Sequence, residues 1–214
     1  LQGVYGQLLE EERPPATVIV IQTMFVECTL ATAREWFQDN LVAGRQYAMS
    51  RDMLNKMREL EAAKKVTVTA CPQISTISGS QAQVRTTTEF SYVIDYDIGE
   101  MGETPITRTR EVGTILNVTP LIDADGETIH LTVIPEYCRV IKPNRRVEYV
   151  LPLSRIATHI ECPEFTSYNM TTSVTMKHGA TVMVGGGNPS DYESKDAQAT
   201  TGFWLITTTL TKAK

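Results

Sequence analysis

Apolar and polar positions alternate along most of this chain. From Val84 to Ile98, the residues Phe90, Tyr92, Ile94, Tyr96 and Ile98 fall on one parity, and Ser91, Val93, Asp95 and Asp97 fall on the other. A period of two belongs to a strand, whose successive side chains point to opposite faces. Gly99 to Pro105 reads as a turn, and Ile106 to Pro120 as the returning strand. At about 3.3 Å per residue the pair would reach roughly 45–50 Å, which suits a barrel wall. A sheet face packed on an ordinary core would leave the same pattern. Further on, Leu116, Val118 and Ile122 alternate with Asn117 and Thr119, and Ile129, Leu131 and Val133 with His130 and Thr132. Asp125-Gly126 between them supplies the positive-φ chemistry of a hairpin turn.

One stretch breaks the period. Met49, Met53, Leu54, Met57 and Leu60 recur at helical spacing, with Ser50 placed as an N-cap and Asp52 in the first turn. A helix over Ser50 to Ala63 is expected, its methionine stripe packing on the core and Lys64-Lys65 at its C-terminal end. Thr17 to Leu30 is a long apolar strand. Trp36-Phe37 anchors a short helix or loop between Ala31 and Asn40. Val66 to Ile77 is a strand broken at Pro72, and Ser78-Gly79-Ser80 is a turn. Residues 138–170 alternate loosely. A turn at Gly179 leads into a short apolar strand ending in Gly185-Gly186-Gly187, residues 188–201 read as a polar surface loop, and Phe203 to Leu210 is the last strand. Residues 1–16, with Glu10-Glu11-Glu12 before Arg13-Pro14-Pro15, read as an arm or linker, and residues 17–214 as one mainly β domain.

Charge and chemistry narrow the function classes. The 214 residues carry a net charge of −5 and are 42% hydrophobic. No basic run is present to neutralise phosphates, so no nucleic-acid partner is expected. No stretch of about 18 apolar residues would span a bilayer as a helix, whereas membrane strands alternate and leave a weaker trace. His130, His159 and His178 are scattered. Cys28, Cys71, Cys138 and Cys162 have no Cys-x-x-Cys spacing and read either as buried thiols or as one or two disulfides. Asp123 and Asp125 suit a turn better than a calcium loop. Gly185 to Gly187 lack the Lys-Ser/Thr of a phosphate loop. The expectation is a protein that is not an enzyme and holds no metal or cofactor.

The order of motifs is more specific than the alternation. Glu111-Val112-Gly113, a strand, Thr119-Pro120, the Asp125-Gly126 turn, a strand and Pro135-Glu136 are followed by Thr172-Ser173-Val174, the Gly179 turn and an apolar strand into glycines. With Val26-Glu27 ending the first strand, this resembles the C-terminal β-domain of bacterial secretins, the ring-forming outer-membrane channels of type II and type III secretion and type IV pilus systems. The resemblance implies long antiparallel strands contributing to an oligomeric barrel or ring, plus one or two short helices. It implies a homo-oligomeric pore for protein secretion or pilus passage in the cell envelope, at the outer membrane or periplasm, with other secretion-system components as partners. On this reading Phe90, Tyr92, Ile94, Tyr96 and Ile98 form the barrel wall or interface, and Gly113, Gly185, Gly186 and Gly187 are strand bends. The ring-building domains that precede such a β-domain are longer than residues 1–16.

Two departures shape the alternative. The family's Pro-rich segment after the Gly-Gly strand is replaced here by Asn188-Pro189-Ser190-Asp191-Tyr192-Glu193, and the interval from Val84 to Val112 is too short for the family's usual insertions. Arg108 and Arg110 also share one face of the return strand, which is costly against lipid. These features favour a non-membrane structural protein on the same fold, assembling into an extracellular tube, filament or surface layer.

Overall fold

The computed structural model describes residues 17–37, 46–99, 102–186 and 200–212. The expected arm at 1–16, the expected loop up to residue 199 and Gly187 lie outside the described residues. In chain order the elements are β1 (Thr17–Thr29), α1 (Leu30–Phe37), β2 (Tyr47–Ala48), α2 (Arg51–Ala62), β3 (Val66–Ala70), β4 (Gln73–Ile77) and β5 (Ala82–Gly99). They continue with β6 (Gly102–Ile122), β7 (Thr128–Val150), β8 (Ala157–Asn169), β9 (Thr172–Lys177), β10 (Thr181–Gly185) and β11 (Thr200–Lys212). Among the described residues the protein is mainly β, with antiparallel sheets and two short helices, and neither sheet closes on itself.

The first sheet runs β2-β10-β11-β1-β3, with β4 also on β1. β11 pairs β1 along its whole length, from Thr17↔Lys212 to Thr29↔Thr200. β3 and β4 share the other edge of β1, and the break between them is Pro72, which cannot donate to a ladder. The gap is stitched from the other side, where the Thr23 N–H donates to the Pro72 carbonyl at 3.0 Å.

The second sheet runs β5-β6-β7-β8, with β9 on the first third of β7. The two sheets pack face to face over the main core. Ile19, Ile21 and Phe25 of β1 and Trp204 and Ile206 of β11 meet Leu116, Val118, Ile129, Leu131 and Val133. The alternate residues of the same first-sheet strands, Val26, Cys28, Phe203 and Leu205, face the helices and pack on Trp36, Phe37, Met57 and Leu60. β1, β10 and β11 are therefore covered on both faces, which is why they read as nearly unbroken apolar runs.

The helical layer follows its sequence signals. The Ser50 hydroxyl accepts from the Met53 N–H at 3.2 Å, capping α2, and Met57 and Leu60 of the expected stripe are buried. Trp36 donates from Nε1 to the Met53 carbonyl at 3.1 Å, tying α1 to α2.

Candidate assembly interface

β6 and β7 pair from Ile122↔Ile129 to Gly113↔Cys138, and there they part. β5–β6 continues as a two-stranded ribbon to Gly99↔Gly102, and β7–β8 as a second ribbon to Val150↔Ala157. Eleven residues of β6 lie beyond the parting point, so each ribbon extends roughly 35 Å from the sandwich. Gly113 sits at the fork with φ +129°, and a Cβ there would meet the backbone of Thr86 and Thr87. Only glycine combines that conformation with so close an approach.

Side chains, not a backbone ladder, hold the ribbons together. Near the fork, Phe165 of β8 lies 6.1 Å from Phe90 and 6.0 Å from Tyr92 between ring centroids. The Arg110 guanidinium sits 4.3 Å over the Phe165 ring and donates to the Ser167 hydroxyl at 3.2 Å. Farther out, Tyr96 stacks on Tyr149 at 6.0 Å, with its hydroxyl 2.7 Å from that of Thr158. At the tips, the Glu103 carboxylate accepts from the Leu153 N–H at 2.7 Å, the Ser154 N–H at 3.2 Å and the Ser154 hydroxyl at 2.5 Å. Burial pushes the Glu103 carboxyl up, and these hydrogen bonds outweigh it and hold the group below its ordinary range.

The expected shared face of Phe90, Tyr92, Ile94, Tyr96 and Ile98 needs correction. Val93 pairs Thr107 but Asp95 pairs Ile106, so Ile94 is an extra residue on β5. One inserted residue reverses the alternation. Phe90 and Tyr92 thus meet Phe165, whereas Tyr96 turns to the opposite face and meets Tyr149 and Thr158. Thr158 and Phe165 are themselves on opposite faces of β8, so the contact winds from one face of each ribbon to the other along its length. Ile98 is 45% exposed.

The ribbons also carry uncovered apolar surface. Ile106, Val147, Val150, Leu153 and Ile156 are exposed, and together with Ile98 they surround the tips. Interspersed with them are exposed charges, including Arg108, Arg110 and Glu111, and an Arg85–Glu111 ion pair. Among the described residues the outer edges of β5 and β8 have no strand partner.

The remaining sequence candidates lie elsewhere. Gly185 and Gly186 have φ +106° and +104°, and the Gly186 N–H donates to the Gly202 carbonyl at 3.0 Å beside the Phe25 and Tyr168 rings. His130 Nδ1 lies 3.0 Å from the Thr175 hydroxyl, and His178 Nδ1 accepts from the Leu210 N–H at 3.0 Å. Among the described residues no His, Cys, Asp and Glu gather in a group able to hold a metal ion. All four cysteines are free: Cys28 is buried, Cys138 half-buried, and Cys71 and Cys162 are exposed. Among the described residues no helix is long and apolar enough to cross a membrane, which says nothing of strands. Sequence reasoning missed Glu103, Tyr149 and Phe165. Each is an ordinary alternating or turn residue whose partner lies far along the chain, so no local signal marks it.

The fold is similar to that of solved secretins at low identity. The InvG secretin of the Salmonella SPI-1 type III secretion injectisome is 14% identical, with a TM-score of 0.45 over 93% of this chain and 64% of that one. The type II secretion system secretin GspD of E. coli K12 is 13% identical, with a TM-score of 0.43 over 93% of this chain and 51% of that one. PulD, in the Klebsiella pneumoniae type II secretion system outer membrane complex, is 13% identical, with a TM-score of 0.47 over 94% and 41%. The chain thus spans between about two fifths and two thirds of the length of these secretins. No curated protein sequence matches it. The family model described as "Secretin: Bacterial type II and III secretion system protein" matches residues 59–199, from α2 through both ribbons, and this chain belongs to the secretin family.

Proposed function

We propose that this chain is a structural, non-catalytic subunit of a homo-oligomeric secretin-like ring or pore in the bacterial cell envelope, at the outer membrane or periplasm, serving protein secretion or pilus passage. The observation that carries this reading is the pair of long ribbons whose outer edges on β5 and β8 are unpaired among the described residues. A row of free N–H and C=O groups invites another strand, and a closed ring of subunits removes every such edge. The exposed Ile98, Ile106, Val147 and Val150 give neighbouring ribbons apolar surface to cover. Phe90, Tyr92, Ile94, Tyr96 and Ile98 then line the wall or the subunit interface on alternate faces, with Gly113 at the ribbon bend and Gly185 and Gly186 as bends at the end of β10.

A second reading rests on the charges. Arg108 and Arg110 are exposed on β6. An arginine facing lipid at the bilayer midplane costs about 2–4 kcal/mol. If these residues face outward in the assembly, an extracellular tube or filament in water is favoured over a membrane pore. Negative-stain imaging and light scattering of the purified chain without detergent test both. Closed rings are expected for the pore, and long tubes for the alternative. A stable monomer at high concentration would overturn both.

A further inference from the structure

Beyond Gly113↔Cys138 the contact between the ribbons is made by side chains, and its most concentrated point is Glu103. Glu103 is the second residue of β6, and Leu153 and Ser154 lie in the turn that closes β7–β8. That turn is held internally by the Leu151 N–H donating to the Ile156 carbonyl and the Arg155 N–H donating to the Leu151 carbonyl, each at 3.0 Å. The amides of Leu153 and Ser154 are left pointing outward as a small anion-binding nest. The chain fills that nest with its own carboxylate, fifty residues away, through charge-assisted hydrogen bonds.

We propose that Glu103 is a latch: it holds the two ribbons tip to tip in the isolated subunit, and its release from the Leu153–Ser154 turn lets them spread for strand pairing with neighbouring copies. This inference rests on the ring-subunit reading above. In the latched subunit β5 lies against β8, with Tyr96 on Tyr149 and Thr158 and with Phe90 and Tyr92 on Phe165. In a closed wall these two edges face different neighbours. The latched form and the wall therefore exclude each other along this length. Latching also folds together the two edges most prone to premature association. The tip contact is exposed and made of few groups, so an intersubunit ladder can replace it at little cost.

The test uses the full chain, refolded by dilution without detergent, as wild type, Glu103→Ala, Glu103→Gln and Tyr96→Phe. Amide hydrogen exchange reads the latch, and light scattering with negative-stain imaging reads assembly. In the Glu103→Ala subunit the Leu153 and Ser154 amides should exchange about tenfold faster, with Val118 in the sandwich unchanged. Assembly should begin several-fold sooner. Glu103→Gln, with one neutral acceptor oxygen, should fall between. Tyr96→Phe, which keeps the carboxylate and loses the Thr158 bond, should shorten the lag less. Unchanged exchange in Glu103→Ala overturns the latch itself. Faster exchange with an unchanged assembly lag also overturns the proposal, since Glu103 then only steadies a turn, while the ring reading stands. Faster exchange with no assembly in any variant, wild type included, overturns the ring reading and this proposal with it.

Discussion

Gly113 and Thr86 stand so close across the β5–β6 ladder that a Cβ on Gly113 would lie 2.2 Å from the Thr86 carbonyl oxygen. The obstacle is backbone, which cannot rotate aside, and Gly113 has φ +129° besides. Gly113→Ala should therefore strain both the conformation and the ladder where the ribbons leave the sandwich. The expected loss is about 2–4 kcal/mol of stability, measured by denaturant unfolding. A loss below about 0.5 kcal/mol, ordinary for a surface substitution, would show that the fork is not held as described.

Phe25 is the hub of the intersheet core. Its ring lies 4.7 Å from Tyr137, 4.9 Å from Tyr168 and 4.8 Å from Trp204 between centroids, and it is fully buried. Phe25→Ala should cost about 3–5 kcal/mol. Trp204 is different, because its buried Nε1 has no hydrogen-bond partner among the described residues. In Trp204→Phe the lost packing is partly offset by removing an unsatisfied donor, so its cost should be clearly smaller than that of Phe25→Ala. Paired melts decide, and equal costs would contradict the orphaned Nε1.

Asp125 organises the hairpin turn between β6 and β7. Its Oδ1 accepts from the N–H groups of Glu127 at 2.9 Å and Thr128 at 2.8 Å, and its Oδ2 accepts from the Thr128 hydroxyl at 2.6 Å. These bonds, led by that from the Thr128 hydroxyl, lower its pKa from 3.8 to about 2. A depressed carboxyl stabilises the fold fully above its unfolded value and loses that contribution as pH falls through its folded value. The stability gap between wild type and Asp125→Ala should thus be constant near neutral pH and narrow between 3.8 and about 2. A gap unchanged across that interval would show that the charge contributes nothing to the turn.

The thiols should separate by position. Cys28 is buried between the first sheet and the helices, and burial, with the Glu27 charge adding to it, pushes its thiol up to about 12. Only the thiolate reacts. A thiol reagent at mildly alkaline pH should label the exposed Cys162 quickly, the exposed Cys71 more slowly because burial and then the Glu61 charge push its thiol up, and Cys28 only after denaturation. Fast labelling of Cys28 in the native protein would mean that the helical layer opens readily.

Much of this fold is set by local sequence pattern. Period-two alternation marks the long strands, the Ser50 cap and methionine stripe mark α2, and Asp125-Gly126 marks its hairpin. The order of those motifs carries the secretin resemblance. These features are legible because each depends on neighbours within a few residues. Tertiary structure alone decides that β6 and β7 part at Gly113 and that Ile94 is one residue too many for its ladder. It alone brings Glu103 to Ser154 across 51 positions. The alternation from Phe90 to Ile98 looks unbroken in sequence because a bulge changes the pairing and leaves the residue order untouched. Register and long-range contact are properties of two segments together, and neither segment encodes them by itself.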